Sequence, residues 1–171
     1  MVEPYYQTDG ITLFHGDCGE ILPQLPGESV DLVFADPPFN VGKAYAETPD
    51  RREDYYAWCE EWIGKCFQVM SGTASLYVMT IPRHLPHLYP MLGARGVFIN
   101  QVIWRHVSAN RGKRGFWNSY QAIMVYGKTA EYKFNTYAQV RMTDPQSLRW
   151  GGYATGPKGR LLDYWDDIPF V

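Results

Sequence analysis

Apolar residues recur along the chain with two spacings, one typical of strands and one typical of helices. Short apolar runs bounded by glycine, proline or polar residues predict strands over 11–17, 30–35, 75–80, 97–104 and 121–127. Helices are predicted between them over 18–29, 55–70 and 82–96. In the long middle helix, one face carries apolar side chains at helical spacing, namely Tyr55, Cys59, Trp62, Cys66 and Met70.

Residues 30–35, VDLVFA, form a nearly continuous apolar run. Such a run after a helix predicts a central parallel strand that is buried on both faces. The alternation of strands and helices predicts an α/β fold, with a largely parallel sheet and helices on both faces. Ligands of such sheets bind outside the carboxyl ends of the strands, so the residues that follow 35 are a candidate site. From residue 128 onwards the periodicity is weak, which divides the chain into 1–128 and 129–171.

Composition and charge narrow the class of protein. With 171 residues, 46% hydrophobic and 20% charged, the chain is long enough for a single globular domain. It has no apolar run of about 20 residues, as a membrane helix needs, and its three cysteines are scattered, which is typical of a cytoplasmic protein. Residues 1–100 carry 6 basic and 13 acidic residues, whereas residues 101–171 carry 10 and 5. This asymmetry favours an acidic partner that binds on one side.

The predicted strand 30–35 is followed by an acid, two prolines and an aromatic ring: Asp36, Pro37, Pro38 and Phe39. Two prolines can simply end a strand, and Phe39 can simply cap a core. The same residues also suit chemistry on the exocyclic amine of a nucleic-acid base. A carboxylate and a backbone carbonyl can each accept one N–H of the amine, and proline offers a carbonyl without a competing N–H. An aromatic ring can stack on a base that has been flipped out of a duplex.

The segment GDCGEILPQLPGESVDLVFADPPFNVGKAY resembles the amino end of the DNA amino-methyltransferases of the permuted beta group, which use S-adenosylmethionine. The likeness continues through YYAWCEEWIGKCFQVMSGTASLYV, VIWRHVSANRGKRGFWNSYQAIMVYGK and YKFN. The resemblance therefore covers most of the chain. It implies a Rossmann-like methyltransferase sheet, with residues 1–128 as a catalytic half-domain and residues 129–171 as a target-recognition segment.

Carried over position by position, the resemblance implies that the Asp36 carboxylate and the Pro37 carbonyl accept from the target amine. Pro38 would hold the bend and Phe39 would stack on the base. Asp36 and Asp17 would also lie against the cofactor, although Asp17 can equally be a turn residue. An aspartate at the first position of the tetrad is more typical of adenine-N6 enzymes than of cytosine-N4 enzymes.

The sequence departs from the family pattern in two places. Gln121 stands where family members often have an acid. The second signature of the family, Phe-x-Gly-x-Gly, which opens the cofactor's methionine pocket, does not occur in these 171 residues. The strands that bear this pocket in the family lie beside the strand that ends in the tetrad. We therefore expect the chain to need a second polypeptide, or a second copy of itself, to complete the cofactor site. An inactive DNA-binding remnant is the alternative, and an RNA or protein-glutamine methyltransferase is a weaker one.

A basic segment between the last two predicted strands combines cations with aromatic rings: Arg105, Arg111, Lys113, Arg114, Phe116 and Trp117. Such a mixture suits contact with phosphates and bases, although a solvated loop would have the same composition. With the resemblance, it is predicted to contact double-stranded DNA. His84 and His87 are three residues apart but have no acid or cysteine beside them in the sequence, so no metal site is predicted.

Overall fold

The computed structural model describes residues 2–45, 48–105, 119–134 and 164–165. An isolated hairpin comes first, with strands β1 (Tyr6–Thr8) and β2 (Ile11–Leu13). Helix α1 (Cys18–Ile21) and a 3-10 turn (Leu22–Gln24) lead to β3 (Val30–Ala35). A small hairpin, β4 (Ala44–Tyr45) and β5 (Thr48–Pro49), precedes helix α2 (Tyr55–Val69).

The second half of the described chain supplies most of the main sheet. Strand β6 (Met70–Thr80) follows α2 directly, and a 3-10 turn (Pro82–His84) leads to helix α3 (Leu85–Gly93). Strands β7 (Val97–Arg105), β8 (Tyr120–Gly127) and β9 (Tyr164–Trp165) complete the list. No helix in the described ranges is long and apolar enough to cross a membrane.

The main sheet has the order β3-β6-β8-β7-β9. Strand β3 is parallel to β6, and β9 is parallel to β7, whereas β8 is antiparallel to both of its neighbours. Four of the five described strands therefore run in one direction, and β8 is reversed between them. The sheet is therefore mixed rather than simply parallel. The carboxyl ends of β3, β6 and β7 lie at the same edge of the sheet as the amino end of β8.

The prediction that β3 is the central strand, buried on both faces, is wrong. In the described chain β3 pairs only with β6, and Leu32 and Phe34 are 59% and 52% exposed. Strand β8 has a neighbouring strand on each side, and its residues 122–127 are all buried. An apolar run shows that a strand is suited to burial, but it does not show which strands pair with it or which elements cover its faces.

The predicted strand 11–17 is also shorter than expected, and it belongs to a separate hairpin and not to the main sheet. Only Ile11–Leu13 is a strand, and its partner is β1 rather than the main sheet. Several of its side chains are exposed, including Ile11 at 53% and Leu13 at 50%. The strand signal was correct, but periodicity alone does not identify the partner of a short strand.

The main core lies on the face of the sheet that α2 and α3 cover. It joins the predicted apolar face of α2 to alternate residues of β6, among them Ala74, Leu76 and Val78, and to Met124 of β8. All five positions predicted for that face, including Met70 at its end, are buried. On the opposite face, Met79, Val102, Ile123 and Val125 form a second apolar cluster. In the described part of the chain, the helices in contact with the sheet lie on one face, so the expected helices on the other face are not among these residues.

Candidate active site

The DPPF tetrad follows β3 directly and lies at the shared edge of the sheet. The Asp36 side chain is solvent-accessible, and none of the described residues donates a hydrogen bond to its carboxylate. The protein nevertheless shields the Asp36 carboxyl from part of the solvent, and this desolvation raises its pKa above the usual value of 3.8. Asp36 is therefore an acceptor without a described donor, in a partly dehydrated position where a hydrogen bond to a ligand is strengthened.

Three consecutive carbonyls after Pro37 are each held by a side chain from another element. The Tyr55 hydroxyl at the start of α2 donates to the Pro38 carbonyl at 2.9 Å. The His84 ring nitrogen Nε2 lies 2.8 Å from the Phe39 carbonyl, and the Arg83 guanidinium donates to the Asn40 carbonyl at 2.6 Å. The Pro37 carbonyl receives no hydrogen bond from the residues that the structure describes. The backbone acceptor predicted for the target amine is thus the one that is left open.

The contacts of His84 favour one tautomer of the ring. A carbonyl only accepts, so the 2.8 Å contact with Phe39 favours a hydrogen on Nε2 and leaves Nδ1 to accept from the Tyr56 hydroxyl at 3.0 Å. The Arg83 Nε donor, at a longer 3.3 Å from Nε2, competes for the same nitrogen. The side chain is only 2% exposed, and this burial lowers the pKa of His84 below its usual 6.5. Nearby Arg83 opposes protonation as well. Burial therefore favours the uncharged ring, which binds the backbone of the tetrad.

The described residues of the polar segment 40–54, which follows the tetrad, are tied together by hydrogen bonds. The Asn40 side chain exchanges two hydrogen bonds with the backbone of Arg52, at 2.7 and 3.1 Å. The Asp50 carboxylate accepts from the backbone N–H groups of Val41 and Lys43 at 3.1 and 2.7 Å. Burial opposes the ionisation of Asp50, but these N–H donors outweigh it and lower its pKa. The segment therefore leaves the tetrad along a defined path.

A cavity of about 340 Å³ opens between the tetrad and α2. Its walls are the backbone and side chains of 33–38, with Trp58, Trp62 and Cys66 of α2 and Cys18 and Leu22 on the other side. Two indole rings and aliphatic carbons suit a flat aromatic group, and Asp36 places one carboxylate at the rim. These residues fit an adenosyl group or a base, both of which combine a flat ring with polar edges.

Phe39 and Asp17 are placed differently from each other. The Phe39 ring is half-buried against the second apolar cluster, so part of its surface stays accessible. Asp17 caps the amino end of α1, where its carboxylate accepts from the backbone N–H of Gly19 at 2.6 Å. The next residue, Cys18, lines the cavity. The turn role of Asp17 is thus observed, and its predicted contact with a cofactor stays a prediction.

The predicted DNA-binding residues are only partly within the described chain. Arg105 is exposed at the end of β7 and lies opposite Tyr120 across the β7–β8 pair. Arg111, Lys113, Arg114, Phe116 and Trp117 lie outside the described residues. Gln121, beside Tyr120 at the same edge, has a buried Oε1 without a hydrogen-bond partner among the described residues.

Sequence reasoning missed the residues that hold the tetrad in place. Tyr55 was assigned to the core only, and Arg83 and Tyr56 were given no role. His84 was considered only as a metal ligand, and the described residues contain no cluster of His, Cys, Asp and Glu that could hold a metal ion. The contacts join residues 17 to 45 positions apart, so nothing local in the sequence could have shown them.

Similar solved structures define the class of fold. A putative DNA modification methylase from Thermus thermophilus superimposes with a TM-score of 0.58 at 20% identity, over 91% of this chain and 66% of that one. The cytosine-N4-specific PvuII DNA methyltransferase gives a TM-score of 0.57 at 18% identity, over 75% of this chain and 52% of that one. The predicted Rossmann-like methyltransferase fold is confirmed.

Sequence relatives give the family. The family model described as DNA methylase, for the N6 and N4 enzymes, matches residues 30–166. The type II methyltransferase M.BamHI of Bacillus amyloliquefaciens is 33% identical over 98% of this chain and 42% of its own length. The DNA adenine methyltransferase YhdJ of Escherichia coli is 33% identical over 92% of this chain and 52% of its own length. The chain belongs to the N6/N4 DNA methylase family, as the tetrad predicted, and it spans about half the length of these curated relatives.

Proposed function

We propose that this protein transfers a methyl group from S-adenosylmethionine to the exocyclic amine of a base in DNA, and that the base is adenine, methylated at N6. The observation that carries the proposal is the pair of open acceptors at the sheet edge, the Asp36 carboxylate and the Pro37 carbonyl. They adjoin a cavity with aromatic walls. The next three carbonyls along the chain are already bonded.

The chain's own residues would do three things to the target amine. Asp36 and Pro37 each accept one N–H, which draws the nitrogen towards tetrahedral geometry and frees its lone pair from the ring. Phe39, which is anchored on one side by the second apolar cluster, stacks on the base after it has left the duplex. After transfer the amine has one proton too many, and the Asp36 carboxylate, with its raised pKa, is placed to accept it.

The cofactor would bind in the cavity between the tetrad and α2. It supplies an electrophilic methyl group when bound. Trp58 and Trp62 offer flat apolar walls, and Asp36 lies at the rim on the side of the target. In this proposal Asp17 keeps α1 in place through its capping bond and holds its carboxylate near the adenine end of the cofactor.

Adenine is favoured over cytosine by two observations. Asp occupies the first position of the tetrad, which resembles the adenine-N6 enzymes more than the cytosine-N4 enzymes. YhdJ, which is similar over 92% of this chain, is named a DNA adenine methyltransferase.

The basic segment from Arg105 to Trp117 would contact the duplex, and residues 129–171 would add target recognition to the catalytic unit 1–128.

The open edge of β3 suggests a partner for the chain. Among the described residues β3 pairs only with β6, and Leu32 and Phe34 are exposed on its face away from α2. An unpaired apolar strand edge is normally covered in native proteins. The partner that would complete the site is a polypeptide that carries the Phe-x-Gly-x-Gly loop, because this sequence has no such motif to offer from a second copy. A second copy is the competing outcome of the association experiment below.

A methyl-transfer assay with nucleoside analysis tests the proposal directly. Tritiated S-adenosylmethionine is incubated with a catalytically competent preparation, the chain together with the partner that completes its cofactor site, and with unmethylated duplex DNA, and the digested DNA is resolved into nucleosides. We expect the label in N6-methyl-2′-deoxyadenosine. Label in N4-methyl-2′-deoxycytidine would overturn the choice of base but keep the reaction. Label in RNA or in a protein glutamine, with none in DNA, would overturn the proposed function.

A further inference from the structure

The tetrad is held almost entirely through carbonyl groups. Pro37 and Pro38 have no backbone N–H, so they cannot be fixed by the donors that normally tie a segment to a sheet. The side chains of Tyr55, Arg83 and His84 instead bind the carbonyls of residues 38–40 at 2.9, 2.6 and 2.8 Å. Two of these three donors, Tyr55 and His84, are each only 2% exposed.

These bonds constrain the carbonyl that they leave open. The peptide planes of Pro38 and Phe39 are oriented by rigid buried donors, and the ring of Pro38 fixes its φ angle. The Pro37 carbonyl belongs to the peptide that precedes this fixed segment, and β3 fixes the chain on its other side through its pairing with β6. Its direction is therefore set from both sides. A loss of one donor would allow the open carbonyl to turn while the core stays intact.

Further contacts support the side chains that donate to these carbonyls. The Tyr56 hydroxyl lies 3.0 Å from Nδ1 of His84, where it can donate to the tautomer that has its hydrogen on Nε2, as the Phe39 carbonyl needs. Tyr55 packs against the same imidazole, with ring centroids 4.8 Å apart. Burial raises the pKa of the Tyr55 phenol, so its hydroxyl remains a donor over the whole physiological range.

We infer that Tyr55, Arg83 and His84 are positioning residues that aim the Pro37 carbonyl at the target amine by occupying the next three carbonyls. The inference rests on the proposed function, since it assigns these contacts to methyl transfer rather than to stability alone. Its substrate is the same exocyclic amine, and the groups act through the tetrad without touching the base.

Paired hydroxyl deletions separate positioning from simple stability. Tyr55→Phe removes only the oxygen that binds Pro38. Tyr126→Phe is a matched control, because Tyr126 is equally buried at 2%, lies in the same core, and donates to the backbone of α3 at 3.4 Å. Hydrogen–deuterium exchange of the amides of residues 39–43 is compared in wild type and both variants, followed by kcat and KM for DNA in a catalytically competent preparation.

We expect Tyr55→Phe to speed amide exchange at residues 39–43 and to lower kcat by about 10- to 100-fold, with KM for DNA within about twofold, as for a misplaced catalytic group. Tyr126→Phe should change neither. Unchanged exchange and kcat in Tyr55→Phe, or the same losses in both variants, would overturn the inference. If wild type transfers no methyl group, the proposed function fails, while the exchange data still decide whether Tyr55 orders the tetrad.

Discussion

Asp31 and Asp36 lie near the two ends of one strand and have opposite surroundings. The Asp31 carboxylate accepts from the Ser71 hydroxyl at 3.0 Å and lies 3.5 Å from the Lys133 ammonium. Asp36, directly after β3, receives no hydrogen bond from the described residues. One acid is thus satisfied within the protein, and the other is available to a ligand.

Replacing Asp36 tests this difference. In a catalytically competent assembly, Asp36→Ala removes an acceptor for an N–H of the target amine, so we expect methyl transfer to fall by at least about 100-fold, while DNA affinity remains within about twofold. Asp36→Asn keeps an acceptor oxygen and should lose less activity. Asp31→Ala on the same strand is the control and should keep wild-type turnover. Tritiated-methyl transfer with a gel-shift titration measures both quantities, and full turnover in Asp36→Ala would remove Asp36 from the mechanism.

The basic segment is tested by the salt dependence of DNA binding. Replacing Arg111, Lys113 and Arg114 together with Ala should weaken binding to all sequences, and each lost phosphate contact should lower the log–log salt slope by about 0.9. Fluorescence anisotropy at four salt concentrations gives the slope. Lys65→Ala on α2, which removes a cation paired with Glu61, is the control and should leave the slope unchanged. A slope that does not move in the triple variant would show that the segment is only solvated.

The open edge of β3 predicts association. We expect the purified 171-residue chain to bind S-adenosylmethionine weakly or not at all and to be inactive by itself. Light scattering shows whether a second copy covers the edge. Self-association that Leu32→Lys abolishes would identify a second copy as the partner, because a charge on an apolar strand edge opposes pairing, whereas a monomer without cofactor affinity would leave a different polypeptide. Titration calorimetry with the cofactor gives the affinity. Tight cofactor binding by a monomer would show that the edge needs no cover and that the cofactor site is complete in these residues.

His84 predicts how stability depends on pH. The folded state holds its pKa below 6.5, mainly through burial, so the unfolded chain binds the proton more readily between the two pKa values. Stability should therefore fall as the pH decreases through about 6.5 and level off below the folded-state pKa. Thermal unfolding between pH 5 and 8 measures this. His84→Gln should flatten the curve, whereas the exposed His15→Gln should keep it. An identical slope in wild type and His84→Gln would contradict the buried neutral ring.

Local patterns predicted the elements of this fold better than their arrangement. The strand 30–35 and the helix that begins at Tyr55 were placed at their observed positions, because the apolar spacing and the flanking prolines act over a few residues. The place of β3 in the sheet was wrong, because strand order depends on contacts between distant segments. The reversed strand β8 was not foreseen for the same reason.

The site shows the same division. Asp36, Pro37 and Phe39 could be singled out because their chemistry and their position after a strand are both visible in the sequence. Tyr55 and His84 could not be singled out from the sequence. Their role depends on hydrogen bonds from a hydroxyl and an imidazole to carbonyls that are 17 and 45 residues away. A buried tyrosine in an apolar helix face looks like any other core residue until its partner is known.

The pairing of Arg105 with Tyr120 has a consequence for how the protein can diversify. These two residues face each other across β7 and β8, so the chain leaves and re-enters the sheet at neighbouring points, at the same edge of the sheet as Asp36. The β7–β8 pairing holds these two ends together whatever the number of residues between them. The sequence between Arg105 and Tyr120 can therefore change without a change of register between β7 and β8, which would let new sequence preferences evolve on an unchanged catalytic sheet.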